Sequence, residues 1–231
     1  MPVRRYPVAW SFLACFLAMT IARALLPPHE ASAVARWAST SVASMEQHPV
    51  GSLVVSAVVA SGSAWAWPVL IALAMFGAER AAGHLRTVVV CAAGHVIGTL
   101  VSEGIVAYRV HAGLLPAADR HLLDVGPSYV VVSAIVLAMA FGSRRARAAA
   151  VADLAILVFA GHIVSGLDRL DVAAVGHVTA MAVAGCAALL IATVWPPAHP
   201  PAEPPAGPPA EPPARDAAGP GMNPCENLRC E

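Results

Sequence analysis

The chain has 231 residues, 58% of them hydrophobic and only 12% charged, with a net charge of zero. A soluble domain of this size usually carries about a quarter charged residues, so an ordinary soluble domain is excluded. The neutral balance also offers no basic field to gather nucleic acid. All 14 basic residues are arginine, which with the Ala, Val and Pro richness reads as coding bias rather than function.

Residues 1–6 carry Arg4 and Arg5, and the apolar run from Pro7 to Leu26 is long enough to cross a bilayer. The basic start followed by Ala22-Arg23-Ala24 also fits a cleaved signal peptide, but the apolar run is long for one. Pro27-Pro28 ends this first span. The stretch from His29 to His48, with Val34, Trp37, Ser41 and Met45 at helical spacing, suits a helix lying along the interface. A second apolar stretch, Val50 to Ala78, is interrupted by Ser61-Gly62-Ser63 and by Trp65, Trp67 and Pro68. It is too long for one straight crossing, and part of it is expected in the outer interface, where Trp is favoured. After a polar turn, Glu79 to Arg86, the third span covers Thr87 to Ala107. The fourth runs from Gly126 to Gly142, the fifth from Ala148 to Ser165 and the sixth from Asp171 to Trp195. Beyond Pro196 the repeated Glu-Pro-Pro-Ala cannot bury a core and reads as a disordered or polyproline II tail. The organisation expected is therefore a transmembrane domain over residues 1–195 and a cytoplasmic tail over 196–231.

Arginine sets the orientation. Arg4, Arg5, Arg80, Arg86, Arg144, Arg145 and Arg147 fall on one side, three of them within the short turn Ser143 to Arg147. Clustered positives in short loops resist translocation. An all-α, multi-pass protein of the plasma membrane follows, with six spans and both termini in the cytoplasm.

Two polar groups then enter the bilayer from the outer side. Ser128, in Asp124-Val125-Gly126-Pro127-Ser128-Tyr129, heads the fourth span beside the unpaired N–H groups of its first turn. His177, in Gly176-His177-Val178-Thr179, lies about two turns into the sixth. A serine is unreactive until a base in hydrogen-bond reach takes its proton, and a neutral histidine is such a base. Bland alternatives exist for both. Ser128 can simply cap its helix, and His177 can make an interhelical hydrogen bond. Asp168 and Asp171 read as solvated loop carboxylates, with a cap for the sixth span as the alternative for Asp171. Asp153 reads as a residue of the inner interface, and Ser102 and Glu103 as exposed in preference to lining a polar cavity.

Six spans with a Gly-x-Ser at the head of the fourth and a Gly-His near the head of the sixth resemble the rhomboid superfamily over residues 7 to 195. His48-Pro49 with Leu53 and Ser56-Ala57 looks like the approach to a rhomboid's second helix, and Glu79-Arg80-Ala81-Ala82-Gly83 resembles the Glu-x-x-x-Gly turn after it. On the sixth span His177, Ala180 and Ala184 resemble His-x-x-Gly-x-x-x-Gly with alanine in both glycine places. Together with Gly176, these small residues permit close helix packing in lipid. The Asp-Val-Gly-x-Ser-Tyr form looks closest to the divergent rhomboid-like membrane proteins of actinobacteria.

The resemblance implies an intramembrane serine protease with Ser128 as nucleophile, His177 as general base, and Gly126 and Tyr129 in the supporting oxyanion region. Two departures stand against it. Tyr129 replaces the glycine that follows the serine in rhomboid proteases and crowds the nucleophile. The family's His-x-x-x-Asn pair on the second helix falls, counting back from Glu79, near Ser63 and Trp67, which are poor replacements. Losing one oxyanion donor typically costs on the order of a hundredfold in rate. The alternative is a catalytically inactive rhomboid-like protein that binds transmembrane-helix clients. Neither reading needs a cofactor or a metal. A remoter alternative, haem or metal binding by His95, His162 and His177 on three spans, lacks a His pair at matching depth. Cys15, Cys91 and Cys186 in apolar runs read as small core residues. Cys225 and Cys230 in the tail make a poor zinc site.

Overall fold

The computed structural model describes residues 5–60 and 65–194. The tail, with Cys225, Cys230 and the Pro-Pro runs, and Ser63 in the second stretch lie outside them. Among the described residues all regular structure is helical: α1 Pro7–Ala24, α2 Pro28–Ala38, α3 Val42–Gln47, α4 Pro49–Ser56, α5 Trp67–Ala82, α6 His84–His111, α7 Ser128–Phe141, α8 Arg144–Phe159 and α9 Val172–Val194. Short 3-10 turns stand at Ala117–His121 and Leu167–Arg169.

Boundaries follow local chemistry. Pro7, Pro28, Pro49 and Pro68 occupy the first turn of α1, α2, α4 and α5, where a missing N–H costs nothing. Ser143 accepts from the N–H of Ala146 at the start of α8, and Asp171 Oδ1 accepts from Ala173 N–H at 3.1 Å at the start of α9. Of the two readings open to Asp171, the cap is therefore the one present. Between α5 and α6 the chain turns at Gly83, whose φ of +85° is open only to glycine at little cost.

Of the six expected spans, α1, α6 and α9 are long and apolar enough to cross a membrane. The fourth is α7, apolar but only 14 residues, about 21 Å against a hydrocarbon core of about 30 Å. The second is divided into α4 and α5, and the fifth is the 16-residue α8, which opens with Arg144-Arg145-Ala146-Arg147. The chain is thus an all-helical membrane protein with three helices of full spanning length among the described residues.

α7 is the axis of the bundle. Tyr129 through Ile135, Leu137 and Ala138 are all buried, and a helix apolar on every side is one wrapped by others. α5, α6, α8 and α9 surround it, and the core runs from Ile71, Ala74, Met75 and Ala78 through Val131, Ile135 and Leu137 to Ala180 and Ala184. The start of α1 is fastened to the end of α5: Glu79 accepts from Val8 N–H at 3.1 Å and from Ala9 N–H at 2.8 Å. The Glu-x-x-x-Gly turn therefore places a carboxylate on the N-terminus of a helix, the arrangement favoured by the helix dipole.

Four expectations are corrected. The interfacial segment is two helices, because Ser39 and Thr40 turn inward and bond the loop before α7, while Ser41 N–H donates to Ser39 Oγ and the Ser41 side chain caps α3; hydroxyl side chains compete with helical backbone bonding in this way. Asp153 is fully buried, on the same face of α8 as Ala150 and Leu157. Ser102 and Glu103 are buried too, on a polar stripe of α6 with His95 and Thr99. Only Cys91 of the three cysteines is buried, whereas Cys15 and Cys186 are exposed on the outside of α1 and α9.

Candidate active site

The site forms where the loop before α7 drops between α2, α4 and α6. Thr40 N–H donates to the carbonyl of Asp124 at 2.9 Å, and Gly126 N–H to the carbonyl of Ser56 at 3.0 Å. Thr40 Oγ1 donates to Asp124 Oδ2 at 3.1 Å, and Asp124 N–H donates to Ser39 Oγ at 3.0 Å. This lattice fastens the loop at the head of α7 to the segment after α2 and to α4.

Ser128 is the first residue of α7, preceded by Pro127, and no side chain caps the helix. The expected capping role of Ser128 is therefore absent. Its side chain opens on a narrow crevice lined by Thr40, Ser56, His95, Asp124, Val125, Gly126 and Tyr129. His177 is not on that crevice.

Tyr129 separates the two. Its ring is buried at 3% exposure, stands edge-on to the His177 ring at a centroid distance of 4.9 Å and lies 6.0 Å from the His95 ring. Its hydroxyl donates to Asp124 Oδ2 at 3.2 Å and lies 3.4 Å from the Val172 carbonyl. The phenol occupies the space that a side chain on Gly176 would need. His177 is buried, and neither of its ring nitrogens has a hydrogen-bond partner among the described residues. The carbonyls of Ala173 and Ile163 lie beside the ring without the distance and angle of a hydrogen bond. Ser128 and His177 are thus near the same end of adjacent helices but are not hydrogen-bonded, and the interhelical bond also expected for His177 is not made.

The helix-packing residues meet a broader set of partners than the fourth span. A Cβ on Gly98 of α6 would stand 3.0 Å from the Gly176 carbonyl and 3.4 Å from Ala180 Cβ, and one on Gly94 would overlap Ser133 of α7. Gly176, Ala180 and Ala184, all buried, let α9 approach α6 as well as α7. This is the close backbone contact that small residues permit in lipid.

Sequence reasoning passed over His95 as a residue of this site. His95 Nε2 lies 2.8 Å from the Leu53 carbonyl and 3.4 Å from Ser56 Oγ, so it ties α6 to α4 and walls the Ser128 crevice. The signal was present as Gly94-x-x-x-Gly98 with polar residues at 95, 99, 102 and 103, one face of a helix. Thr40 and Asp124 carried no comparable signal, because their meeting depends on a separation of 84 residues. Trp67 begins α5 and packs at the edge of the core. His162 is exposed in the turn after α8, and the three histidines are not gathered. No group of three or more His, Cys, Asp or Glu among the described residues is placed to hold a metal ion.

Comparison with known proteins agrees with this helical arrangement. No curated protein and no solved structure matches the chain. A family model described as "Rhomboid-like protein" matches residues 1–194, the whole helical part from before α1 to the end of α9, and the chain therefore belongs to the rhomboid-like protein family.

Proposed function

We propose that the protein is a non-catalytic rhomboid-like membrane protein that recognises transmembrane helices of client proteins. The observation that carries this reading is the position of Tyr129. General-base catalysis needs about 2.6–3.2 Å between the base and the proton it removes. Here a buried aromatic ring lies against His177, and Ser128 faces a different crevice. A rhomboid-like bundle with that contact keeps its helix-packing surfaces while its chemistry is closed. The proposal extends to the finer features of the reading: six spans, both termini in the cytoplasm, the plasma membrane, a separate tail after residue 195, and closeness to the divergent actinobacterial members through the Asp124-Val-Gly-x-Ser-Tyr form.

A second reading is an intramembrane serine protease in which Ser128 attacks, His177 takes the proton and the first-turn amides of α7 stabilise the oxyanion, with Gly126, whose N–H is held by the Ser56 carbonyl, only supporting the loop. One observation favours it. The first turn of α7 has no side-chain cap, which leaves N–H groups beside Ser128 for developing negative charge. Tyr129 would then have to leave its place against His177 for the dyad to close.

Fluorophosphonate labelling of the purified protein, beside Ser128→Ala and His177→Ala, separates the two. The non-catalytic reading expects no labelling of folded wild type. Labelling that disappears in both variants overturns it in favour of the protease.

A further inference from the structure

On the lipid-facing side of the bundle, away from the α7–α9 contact, lies a second cavity of about 290 Å³ between α1, α4, α5 and α6. Phe12 of α1, Val54 of α4, Ala57 just after it, Met75 of α5 and Ala92 of α6 line it, and His95 is the polar residue at its wall. We infer that this groove is a resident site for one acyl chain of a membrane phospholipid.

Size decides against the obvious competitor. A single turn of α-helix with side chains, about 10 Å across and 5.4 Å long, fills roughly 400 Å³. The groove encloses less than that, so a client helix would lie across its mouth rather than fill it. A cavity of about 150 Å³ holds one six-carbon ring. Roughly twice that volume therefore takes on the order of ten to twelve carbons in line, much of an acyl chain. The wall decides against water: an apolar cavity stays dry, and an unfilled one deprives its lining of dispersion partners. A flexible hydrocarbon chain supplies those partners without any polar group to satisfy.

Charge places the headgroup. Val8 of α1 and Val88 of α6 are part of the lining. Three residues before Val8 is Arg5, and two before Val88 is Arg86. Arg80, at the end of α5, donates to Tyr6 Oη at 3.3 Å, and the Arg5 guanidinium lies over the Tyr6 ring at 5.6 Å, so two arginines meet where α1 starts. A phosphate at that surface meets favourable charge while its chain follows the groove toward His95. The occupant is therefore a phospholipid of the leaflet at which α1 begins.

The test uses the full chain. Native mass spectrometry of detergent-purified protein is expected to show one retained phospholipid per chain. Ala92→Trp, which fills an exposed part of the groove, should reduce that occupancy at least fivefold. Leu189→Trp, on the exposed face of α9, should leave it unchanged. In parallel, wild-type protein in vesicles of phosphatidylglycerol and phosphatidylcholine is irradiated with a phospholipid carrying a diazirine on its acyl chain. Adducts should concentrate on Phe12 and the segment 88–96. Retention of free fatty acid alone, adducts spread in proportion to exposure, or occupancy unaffected by Ala92→Trp would each overturn the proposal. The crosslinking arm needs no variant, so misfolding of Ala92→Trp would not shield the idea.

Discussion

Gly176→Ala is the substitution that bears most directly on the Tyr129 contact. A Cβ at this position would overlap the Tyr129 hydroxyl and Cζ and stand 2.8 Å from Cε1. Neither side can yield easily. On the far side α9 is already close to α6, where a Cβ on Gly98 would be 3.0 Å from the Gly176 carbonyl. On the near side the phenol is held by Asp124 and packed on His177. Forcing a methyl into a packed core costs about 1–3 kcal/mol. Swinging the ring out instead forfeits its hydrogen bond, about 1.5–3 kcal/mol if the acceptor is charged, and re-exposes a buried aromatic. A loss of about 3 kcal/mol is expected, which for a protein of this size lowers Tm by roughly 6–12 °C. The assay is thermal unfolding in detergent, with Gly185→Ala on the same helix as reference. That Cβ meets nothing within 4 Å, so it should be neutral or gain up to about 1 kcal/mol in helix propensity. On a Tyr129→Ala background the Gly176→Ala penalty should vanish. A Gly176→Ala protein that melts with wild type, or a penalty that persists without the tyrosine, refutes the placement of the ring.

Two other outcomes follow from the same geometry. Glu79→Gln keeps one acceptor for the start of α1 but turns an amide N–H₂ toward a backbone N–H, and a loss of about 2 kcal/mol is expected in the same unfolding assay; wild-type stability would mean the carboxylate is not what fastens α1. Burial holds the Asp124 carboxyl above the usual carboxylate range, with Asp171 adding to the rise and the Thr40 and Tyr129 hydrogen bonds opposing it. The folded state therefore binds this proton more tightly than the unfolded chain does. Its contribution to stability is complete below about pH 4 and is lost as pH rises through the folded-state value. Asp124→Asn should flatten that decline in a series of melts against pH, and an unchanged slope would show that another group sets it.

Much of the architecture was legible from residue order because hydrocarbon imposes a length and a composition on each crossing. The apolar runs gave α1, α6, α7 and α9 to within about a turn of their ends, and of the two readings open to Asp171 the structure shows the cap. The polar turn expected over Glu79 to Arg86 shrinks to Gly83 alone, since α5 runs to Ala82 and α6 starts at His84, and nothing in the motif told that the Glu79 carboxylate would hold the start of a helix some seventy residues earlier. The Ser128 and His177 motifs pointed to the family, and the match over residues 1–194 bears that out. Where those side chains face is another matter. Residues 128 and 129 differ by one step of about 100° around a helix, and which of them meets α9 depends on how α7 is rotated by packing on four neighbours. The same holds for Glu103 and Asp153, whose burial depends on helix faces chosen by tertiary contact, and for Thr40 and Asp124, joined across 84 residues. Periodicity fixes spacing along one helix. It does not fix the rotation of that helix against the next, and in this protein that rotation set Tyr129, rather than Ser128, against His177.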